Sequence, residues 1–282
     1  MFAGRDLVAR IERAECELLT ESTRAAARRE PSPSVVSIAL GGGTATWSAP
    51  SSPLNKLAGI GLAEGLDLAQ LEAQLTDVER AFEQRGTPVQ VALPTHADPA
   101  VGRMLTGRGY RLEGFEDVLG RPLSHRTPEP PAPTTTEIHE SAIEDLGTWL
   151  DTVVDGFAHP DTQGLPSHEE FPREALERDL GDMAHVPGFL RFVARRAGAV
   201  AGAASMRITD DIAQLCGATT LPDHRRRGVQ SALLGHRLAL AAERGCRVAV
   251  VTTQPGSKSQ QNVQRQGFAL LYSRAVLVKS LQ

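Results

Sequence analysis

The order of apolar and polar residues predicts alternating helices and strands along the chain. A first helix is expected from four apolar residues at near-helical spacing, Leu7, Ile11, Leu18 and Leu19. The apolar run at 35–40 then predicts a buried strand. Glycines 41–43 predict a hairpin turn into a second strand at 44–48, because the residues after them alternate as a strand does. A phosphate loop would need a helix N-terminus behind these glycines, so the hairpin is favoured.

The sequence of the second part of the chain predicts nine secondary-structure elements, in the order α-α-β-β-β-α-β-α-β. Capping boxes at 141–144 and 167–170 predict the starts of two helices. The first of these helices is expected to bury an apolar face made of Ile143, Leu146, Leu150, Val153 and Phe157. The remaining elements are expected as strands at 189–194, 200–207 and 212–220, a helix at 228–243, a strand at 248–252, a helix at 258–266 and a strand at 270–279.

A proline-rich stretch divides the chain into two parts. Prolines crowd the segment from Arg121 to Thr136, at positions 122, 128, 130, 131 and 133, and the segment has no apolar periodicity. Proline at this density favours an extended connection. A chain of 282 residues is also more than one core usually holds. The sequence therefore predicts a domain at 1–121, a linker at 122–136 and a second domain at 137–282.

The two parts resemble each other near their ends. Arg85-Gly86 closes a predicted helix and opens a strand, as Arg244-Gly245 does in the second part. Downstream, Gly109-Tyr110 matches Gly267-Phe268. An internal duplication is the economical explanation of this similarity.

Composition narrows the class of protein. Apolar residues make up 41% of the chain and charged residues 23%, as in globular proteins with a full core. A net charge of -4 offers no chain-wide basic surface for nucleic acid, and no apolar run reaches membrane-spanning length. The N-terminus is unlike a signal peptide, and the spacing of Cys16, Cys216 and Cys246 indicates neither disulfides nor a metal site. We therefore expect a soluble cytoplasmic protein without a metal, and without nucleic-acid or membrane partners.

The motif with the clearest chemistry is the basic stretch 225–231, Arg-Arg-Arg-Gly-Val-Gln-Ser, between a predicted strand and a predicted helix. A diphosphate needs converging N–H donors and positive potential, and a helix N-terminus supplies both. Gly228 lets the backbone approach closely, and the arginines add charge. A solvated basic turn and a patch for nucleic-acid phosphates are the alternatives.

In its context of strand, basic loop, helix, strand, helix and Gly267-Phe268, this stretch resembles the Gln/Arg-x-x-Gly-x-Gly/Ala signature of the GNAT superfamily of N-acetyltransferases. The resemblance implies an α/β fold with a mixed sheet flanked by helices, and acetyl-CoA as cosubstrate. It further implies that the amides of the motif hold the CoA pyrophosphate and that the strand at 212–220, which corresponds to the family's fourth strand, pairs with the pantetheine arm. The cofactor-binding residues so implied are Ala218, Thr219, Thr220, Arg225, Arg226, Arg227, Gly228, Val229, Gln230, Ser231 and Asn262.

The chain departs from the family pattern at three places. Gln230 stands where Gly or Ala is preferred, which is tolerable because the backbone amide makes the contact. Val263 occupies the place of the tyrosine that protonates the leaving thiolate, and the strand 212–218 lacks the glutamate that often serves as general base. Replacement candidates for these roles are Tyr272 as acid and Asp155 or His159 as base.

An acidic segment between Asp151 and Asp182 bears on the acceptor. Its carboxylates outnumber its two arginines, Arg173 and Arg178, and the resemblance places this helical pair beside the acceptor site. We hypothesise a cationic amine, carried by a small molecule or a peptide. An alternative that explains the same carboxylates equally well is that they lie on helix faces exposed to solvent.

The first part lacks a counterpart of the basic loop. The segment 59–67, before the helix expected near Leu68, has no basic residue and contains Glu64 and Asp67, which would cap a helix and repel a diphosphate. The sequence thus predicts two GNAT-like domains, the first degenerate. The expected activity is acetyl transfer to a primary amine by direct attack in a ternary complex, and the alternative is a non-catalytic acyl-CoA sensor or interaction module.

Overall fold

The computed structural model describes residues 2–32, 34–124, 135–159 and 171–281. The first part of the chain contains α1 (Arg5–Arg29), β1 (Val36–Leu40), β2 (Gly43–Trp47), β3 (Lys56–Ala58), α2 (Leu68–Glu83), β4 (Val89–Pro94), α3 (Pro99–Gly107) and β5 (Arg111–Pro122). The second part contains β6 (Thr136–Glu140), α4 (Leu146–Ala158), α5 (Arg173–Met183), β7 (Phe189–Arg196), β8 (Ala199–Thr209), β9 (Ile212–Thr220), α6 (Val229–Glu243), β10 (Val248–Thr253), α7 (Lys258–Arg265) and β11 (Ala269–Lys279). Short 3-10 helices at Ile143–Asp145 and Pro222–His224 precede α4 and α6.

The described strands form one mixed sheet in the order β1-β2-β3-β4-β11-β5-β10-β9-β8-β7-β6. The last strand of each part lies beside strands of the other part. β5 pairs antiparallel with β10 and β11, whereas β11 pairs antiparallel with β4 and β5. Because neither strand lies beside the strand that precedes it in the chain, the two parts exchange their final strands. Strands from both parts therefore alternate in the middle of the sheet, in the order β4-β11-β5-β10.

Helices cover both faces of the sheet. In the second part, α6 and α7 bury Leu233 and Val263 with Ala204 of β8. On the opposite face, α4 and α5 bury Trp149 and Leu180 with Ala203, the neighbour of Ala204 on the same strand. Adjacent residues of a strand point to opposite faces, so these clusters are two separate cores. The expected α/β fold with a mixed sheet flanked by helices is confirmed.

The resemblance between the parts extends to backbone conformation. Gly86 (φ 59°) and Gly245 (φ 87°) each join a helix to the strand that follows it. Gly109 (φ 89°) and Gly267 (φ 82°) do the same before β5 and β11. Left-handed backbone favours glycine, so one helix-turn-strand unit recurs in both parts.

Four local expectations need correction or fall outside the described residues. The run at 35–40 becomes β1 at the edge of the sheet, where of residues 36–40 only Leu40 is buried, because only one neighbouring strand covers it. β6 was not expected from the sequence. The box at 141–144 does not cap a helix, since Ser141 Oγ donates to the carbonyls of Ala142 and Asp145. The box at 167–170 and linker residues 125–134 lie outside the described residues.

The buried face of α4 also differs from the expected stripe. The predicted residues Ile143 and Phe157 are exposed, at 45% and 39% of their surface. The helix buries Val153 as expected, together with Trp149, Thr152, Val154 and Gly156. Ile143 lies in the 3-10 helix before α4, and Leu146 and Leu150 are only partly buried, so the buried face is centred on Trp149 and Val153. None of the described helices is both long and apolar enough to cross a membrane.

Candidate acyl-CoA site

A gap opens in the sheet between β9 and β10. These parallel strands pair only at Ile212, Ala213 and Gln214 of β9, opposite Val248, Ala249 and Val250 of β10. Beyond that point β10 continues to pair with β5, and β9 continues to pair with β8. The edge of β9 that faces β10 is therefore left open along 215–220, so an extended ligand could pair with it as an added strand.

A β-bulge lies in β9 beside this gap. Cys216 pairs with Ser205 of β8, but the next pair is Ala218 with Ala204, so Gly217 is an extra residue. A bulge interrupts the regular ladder and redirects the local backbone. Phe157 of α4 covers the bulge, because a methyl group placed on Gly217 would lie 3.5 Å from its ring.

The loop from β9 to α6 forms a nest of backbone donors. Arg226 (φ 59°) and Gly228 (φ 79°) have left-handed backbone, and α6 begins at Val229 without a side-chain cap. Within the described residues, the N–H groups of Arg226 to Ser231 have no hydrogen-bond acceptor. Unpaired amides at a helix N-terminus, together with the helix dipole, attract anions. We call residues 225–231 the cradle.

The three arginines of the cradle differ in their surroundings. Arg226 and Arg227 are exposed. Arg225 is half-buried and donates through Nε to the carbonyl of Thr220, 3.3 Å away, and through Nη2 to the carbonyl of His159. Arg225 therefore ties the end of β9 to the end of α4, and Arg226 and Arg227 leave their charge at the mouth of the cradle.

Residues 155–268 match the model of the acetyltransferase (GNAT) family, a range that includes the gap, the bulge and the cradle. Residues 155–268 are a GNAT acetyltransferase domain. No sequence among the curated proteins matches the chain significantly.

Solved structures share the fold of almost the whole chain. A GCN5-related N-acetyltransferase from Kribbella flavida superimposes with a TM-score of 0.66 at 16% identity, over 96% of this chain and 95% of its own. A tandem GNAT protein from the clavulanic acid biosynthesis pathway gives 0.59 at 13% identity, over 92% and 87% of the two chains. At these identities the likeness concerns the fold. It includes the part of the chain before the GNAT domain, so the expected tandem arrangement is confirmed.

The other residues expected to contact CoA lie along β9 and in α7 of the GNAT domain. Ala218 is half-buried and packs toward α6, whereas Thr219 is buried against α4. Thr220 Oγ is buried, and the described residues give it no hydrogen-bond partner. Asn262 is half-buried on α7, next to the buried Val263. Their contacts with a cofactor stay predictions.

Two of the three candidate catalytic residues lie together at the end of α4. Asp155 and His159 are one helical turn apart, and His159 Nδ1 lies 2.8 Å from the carbonyl oxygen of Asp155. His159 also accepts the hydrogen bond from Arg225 through its own carbonyl. Asp155 Oδ1 accepts from Arg173, 2.6 Å away. The structure thus brings the two candidate bases together at the end of α4, links the backbone of His159 to Arg225 of the cradle, and pairs the Asp155 carboxylate with Arg173.

Tyr272 lies apart from the other candidates. Its hydroxyl donates to Glu12 Oε1 at 2.5 Å, beneath α1, and Arg274 Nε donates to the same oxygen at 2.7 Å. Only 4% of Tyr272 is exposed, and burial raises its pKa, with Glu12 adding to the effect. A deeply buried hydroxyl with a raised pKa is a poor proton donor to a ligand in the gap. Its role as general acid stays a prediction that this geometry does not support.

Several of the acidic residues near α5 already have partners. Glu177 Oε1 accepts from Arg173 at 2.7 Å, in addition to the pair that Arg173 makes with Asp155. Asp161, Glu169 and Glu170 lie outside the described residues. Charge available to attract a cationic amine is therefore less than the sequence indicates, and the cationic acceptor stays a hypothesis.

Two further carboxylates of α5 anchor this helix to the first part of the chain. Asp182 accepts two hydrogen bonds from Arg29 of α1, at 2.8 and 3.0 Å. Asp179 accepts from Ser52 Oγ at 2.5 Å, and burial raises its pKa to about 6. Both carboxylates are buried and face α1 and the loop before β3. They hold the helix in place and do not face a substrate.

Arg237 was not predicted from the sequence, although it contacts the backbone beside the bulge. It lies on the buried face of α6, 3% exposed, with Leu233 and Leu238 nearby in the core. Nη1 donates to the carbonyls of Ser205 at 2.9 Å and Cys216 at 3.4 Å. Burial lowers its pKa to about 10. An arginine four residues after Leu233, on the apolar stripe of a helix, was the signal that could have revealed it.

Cys216 is unsuited to act as a nucleophile. Burial raises the pKa of its thiol to about 12, so the reactive thiolate is scarce at neutral pH. Cys216 is half-buried and packs against the core that α4 and α5 cover.

The start of α2 shows why the first part lacks a cradle. Asp67 caps α2 by accepting hydrogen bonds from the amides of Ala69 and Gln70, at 2.9 and 3.1 Å. These amides are the counterparts of the unpaired donors in α6. A carboxylate therefore already occupies the position of an anion at the start of α2.

Proposed function

We propose that the chain transfers an acetyl group from acetyl-CoA to a primary amine, by direct attack of the amine within a ternary complex. One observation carries this proposal. An open strand edge in β9 leads directly into a helix N-terminus whose amides have no acceptor within the described residues. An elongated ligand with a diphosphate at one end and an amide-bearing arm at the other fits this combination.

The residues of the cradle fit the diphosphate. The amides from Arg226 to Ser231 would donate to its oxygens, and the exposed Arg226 and Arg227 would add positive charge. Gly228 faces open space, since no atom lies within 4 Å of a methyl group placed on it. Ala218, Thr219 and Thr220 would then pair with the pantetheine arm along the open edge.

Acetyl-CoA supplies a thioester carbon that is open to attack by an amine. The chain would contribute position and polarisation: the backbone beside the bulge orients the carbonyl, and α4 borders the side from which an amine could approach. Without a tyrosine at position 263, the thiolate would leave without a dedicated proton donor. Loss of a positioned acid typically costs about 100- to 10,000-fold in rate, part of which the proximity of the reactants offsets.

We propose His159 or Asp155 as the group that receives a proton from the amine. Both lie at the end of α4, whose Gly156 and Phe157 contact β9 at Thr219 and Gly217. Asp155 would first have to exchange its partner Arg173 for the substrate. The acceptor is a small-molecule or peptide amine. Its positive charge, before deprotonation, would compete with Arg173 for the same carboxylates.

The domain boundaries are also part of the proposal. We place the first domain at 1–121, the linker at 122–136 and the acetyl-CoA domain at 137–282. The first domain would bind no CoA and would serve to complete the sheet of the second and to hold α5. The exchanged strands and the Ser52–Asp179 hydrogen bond support this role.

Calorimetry with acetyl-CoA tests binding, and a thiol-release assay over a panel of primary amines tests transfer. We expect binding, and release of CoA with at least one amine. A second function, a non-catalytic acyl-CoA sensor, is favoured by Val263 and by the absence of a glutamate from β9. Binding without release on any amine would support the sensor. Absence of acetyl-CoA binding would refute both functions.

A further inference from the structure

Two buried side chains supply hydrogen bonds to the backbone around the β9 bulge, one from each face of the sheet. Arg237 of α6 donates to the carbonyls of Ser205 and Cys216. Trp149 of α4 donates through Nε1 to the carbonyl of Ala204 at 3.1 Å. These three carbonyls lie at the point where the register of β8 and β9 shifts. A bulge disrupts the ladder, so its backbone groups need other partners.

The charge of Arg237 makes its position unusual. Its nitrogens donate to three backbone carbonyls, the third being Leu233 in its own helix at 3.2 Å, and no carboxylate of the described residues hydrogen-bonds to it. A buried cation without an anionic partner is costly, and a neutral apolar residue would serve the core better. The arrangement therefore favours a role beyond packing.

The same helix joins the bulge to the cradle. Arg237 lies eight residues after Val229, which corresponds to about 12 Å along α6 at the usual helical rise. The open edge of β9 spans the interval between the cradle and the bulge. An extended arm that starts from a diphosphate in the cradle would therefore place its far end beside the backbone that Arg237 holds.

We propose that Arg237 is a positioning residue that fixes the bulged backbone at Cys216-Gly217 and thereby the acyl end of a bound acyl-CoA. This inference rests on the proposed function for its ligand. Its physical basis is independent of that function, because the hydrogen bonds to Ser205 and Cys216 are features of the protein alone. Through α6, one rigid element sets both the diphosphate end and the thioester end of the site.

The test compares two ligands on Arg237→Met, which keeps the length of the side chain and removes its donors. Acetyl-CoA engages both ends of the site, whereas 3′-phospho-ADP, the nucleotide portion of CoA, engages only the cradle. We expect the variant to bind acetyl-CoA about tenfold more weakly and to bind 3′-phospho-ADP as the wild type does. Hydrogen exchange of residues 203–218 should accelerate at the same time, because the bulge loses its donor.

Arg244→Met is the matched control, since Arg244 lies at the end of the same helix, is exposed over 44% of its side chain and pairs only with Glu140 among the carboxylates of the described residues. It should leave both affinities and the exchange rates unchanged. Arg237→Lys keeps the charge and one set of donors, so it should recover part of the acetyl-CoA affinity, and it also serves if the Met variant does not fold.

Three outcomes would overturn the inference. Equal losses for both ligands would indicate a general distortion of α6, and unchanged acetyl-CoA affinity in a folded Arg237→Met variant would show that the bulge does not position the acyl end. Unchanged exchange of residues 203–218 would show that Arg237 does not hold the bulge. If the wild-type protein binds neither ligand but hydrogen exchange of residues 203–218 is faster in Arg237→Met, the proposed function would be refuted, whereas the role of Arg237 in holding the bulge would be confirmed.

Discussion

The contact between Gly156 of α4 and Thr219 of β9 gives the sharpest prediction. A methyl group at position 156 would lie 1.8 Å from Thr219 Oγ1 and 2.4 Å from its Cβ and Cγ2. Normal contacts between such atoms are about 3.5–4.0 Å, so α4 would have to move away from β9 by more than an ångström. Rotation of Thr219 does not relieve the clash, because its Cβ is fixed to the backbone of the strand.

The expected effect of Gly156→Ala is a net destabilisation of about 2 kcal/mol. Overpacking of a tight core contact costs about 1–3 kcal/mol, occasionally more, and the upper end applies here because the clash includes the fixed Cβ of Thr219. The replacement of glycine by alanine within a helix opposes this by about 1 kcal/mol. Because Thr219 borders the gap, displacement of α4 should also weaken acetyl-CoA binding severalfold.

Gly147→Ala in the same helix is the matched control. A methyl group there has no atom within 4 Å, so only the helix-propensity gain applies and the variant should be more stable by about 0.5–1 kcal/mol. Urea unfolding followed by circular dichroism measures both variants. Combining Gly156→Ala with Thr219→Gly should recover part of the loss as a favourable coupling energy. If Gly156→Ala proved as stable as Gly147→Ala, the close approach of α4 to β9 would be refuted.

Three further predictions concern the cradle, its counterpart and the junction between the parts. Replacing Arg226 and Arg227 together by Gln should weaken acetyl-CoA binding about tenfold or more at low salt and reduce the dependence of the affinity on salt. Calorimetry from 50 to 300 mM salt measures both effects. Equal salt dependence in wild type and variant would count against phosphate contacts by these arginines. Asp67→Ala should lower the free energy of unfolding by about 1 kcal/mol through loss of the α2 cap, while acetyl-CoA affinity stays at the wild-type value. A change in that affinity would contradict the proposal that the first domain binds no CoA. The raised pKa of Asp179, about 6, means that the folded state binds its proton more tightly than the unfolded chain, so its stabilising contribution is complete below about pH 4 and is lost as pH rises through 6. The stability difference between wild type and Asp179→Asn, followed by urea unfolding between pH 4 and 8, should therefore shift in favour of the Asn variant as pH rises. A difference independent of pH would refute a pKa of Asp179 that burial raises.

The strand exchange builds the sheet around the candidate site from both parts of the chain. β10 forms one side of the gap, and its outer edge is covered by β5 from the first part. Removal of the first part would leave β10 with an unpaired edge next to the gap. The first part is thus a component of the GNAT domain's sheet, even though the N-terminus of its helix α2 is occupied by Asp67.

Local sequence determined most of the elements and the cradle. β9 and α6 lie within one residue of their predicted bounds, and β10, α7 and β11 also lie close to theirs, because apolar periodicity and glycine-marked ends are properties of neighbouring residues. The cradle was recognisable because its donors are backbone amides of consecutive residues, so its chemistry needs no partner from elsewhere in the chain. Asp67 as the cap of α2 was recognisable for the same reason.

Only the tertiary structure decided which distant residues meet. Tyr272 and Glu12 are 260 positions apart in the chain, and their hydrogen bond engages the tyrosine hydroxyl beneath α1. The run at 35–40 has the composition of a buried strand, but its place at the sheet edge depends on the order of all the other strands. The exchange of β5 and β11 and the position of Arg237 under the bulge likewise arise from long-range packing. Periodicity indicates which face of an element is buried, and the pairing of the elements decides what that face touches.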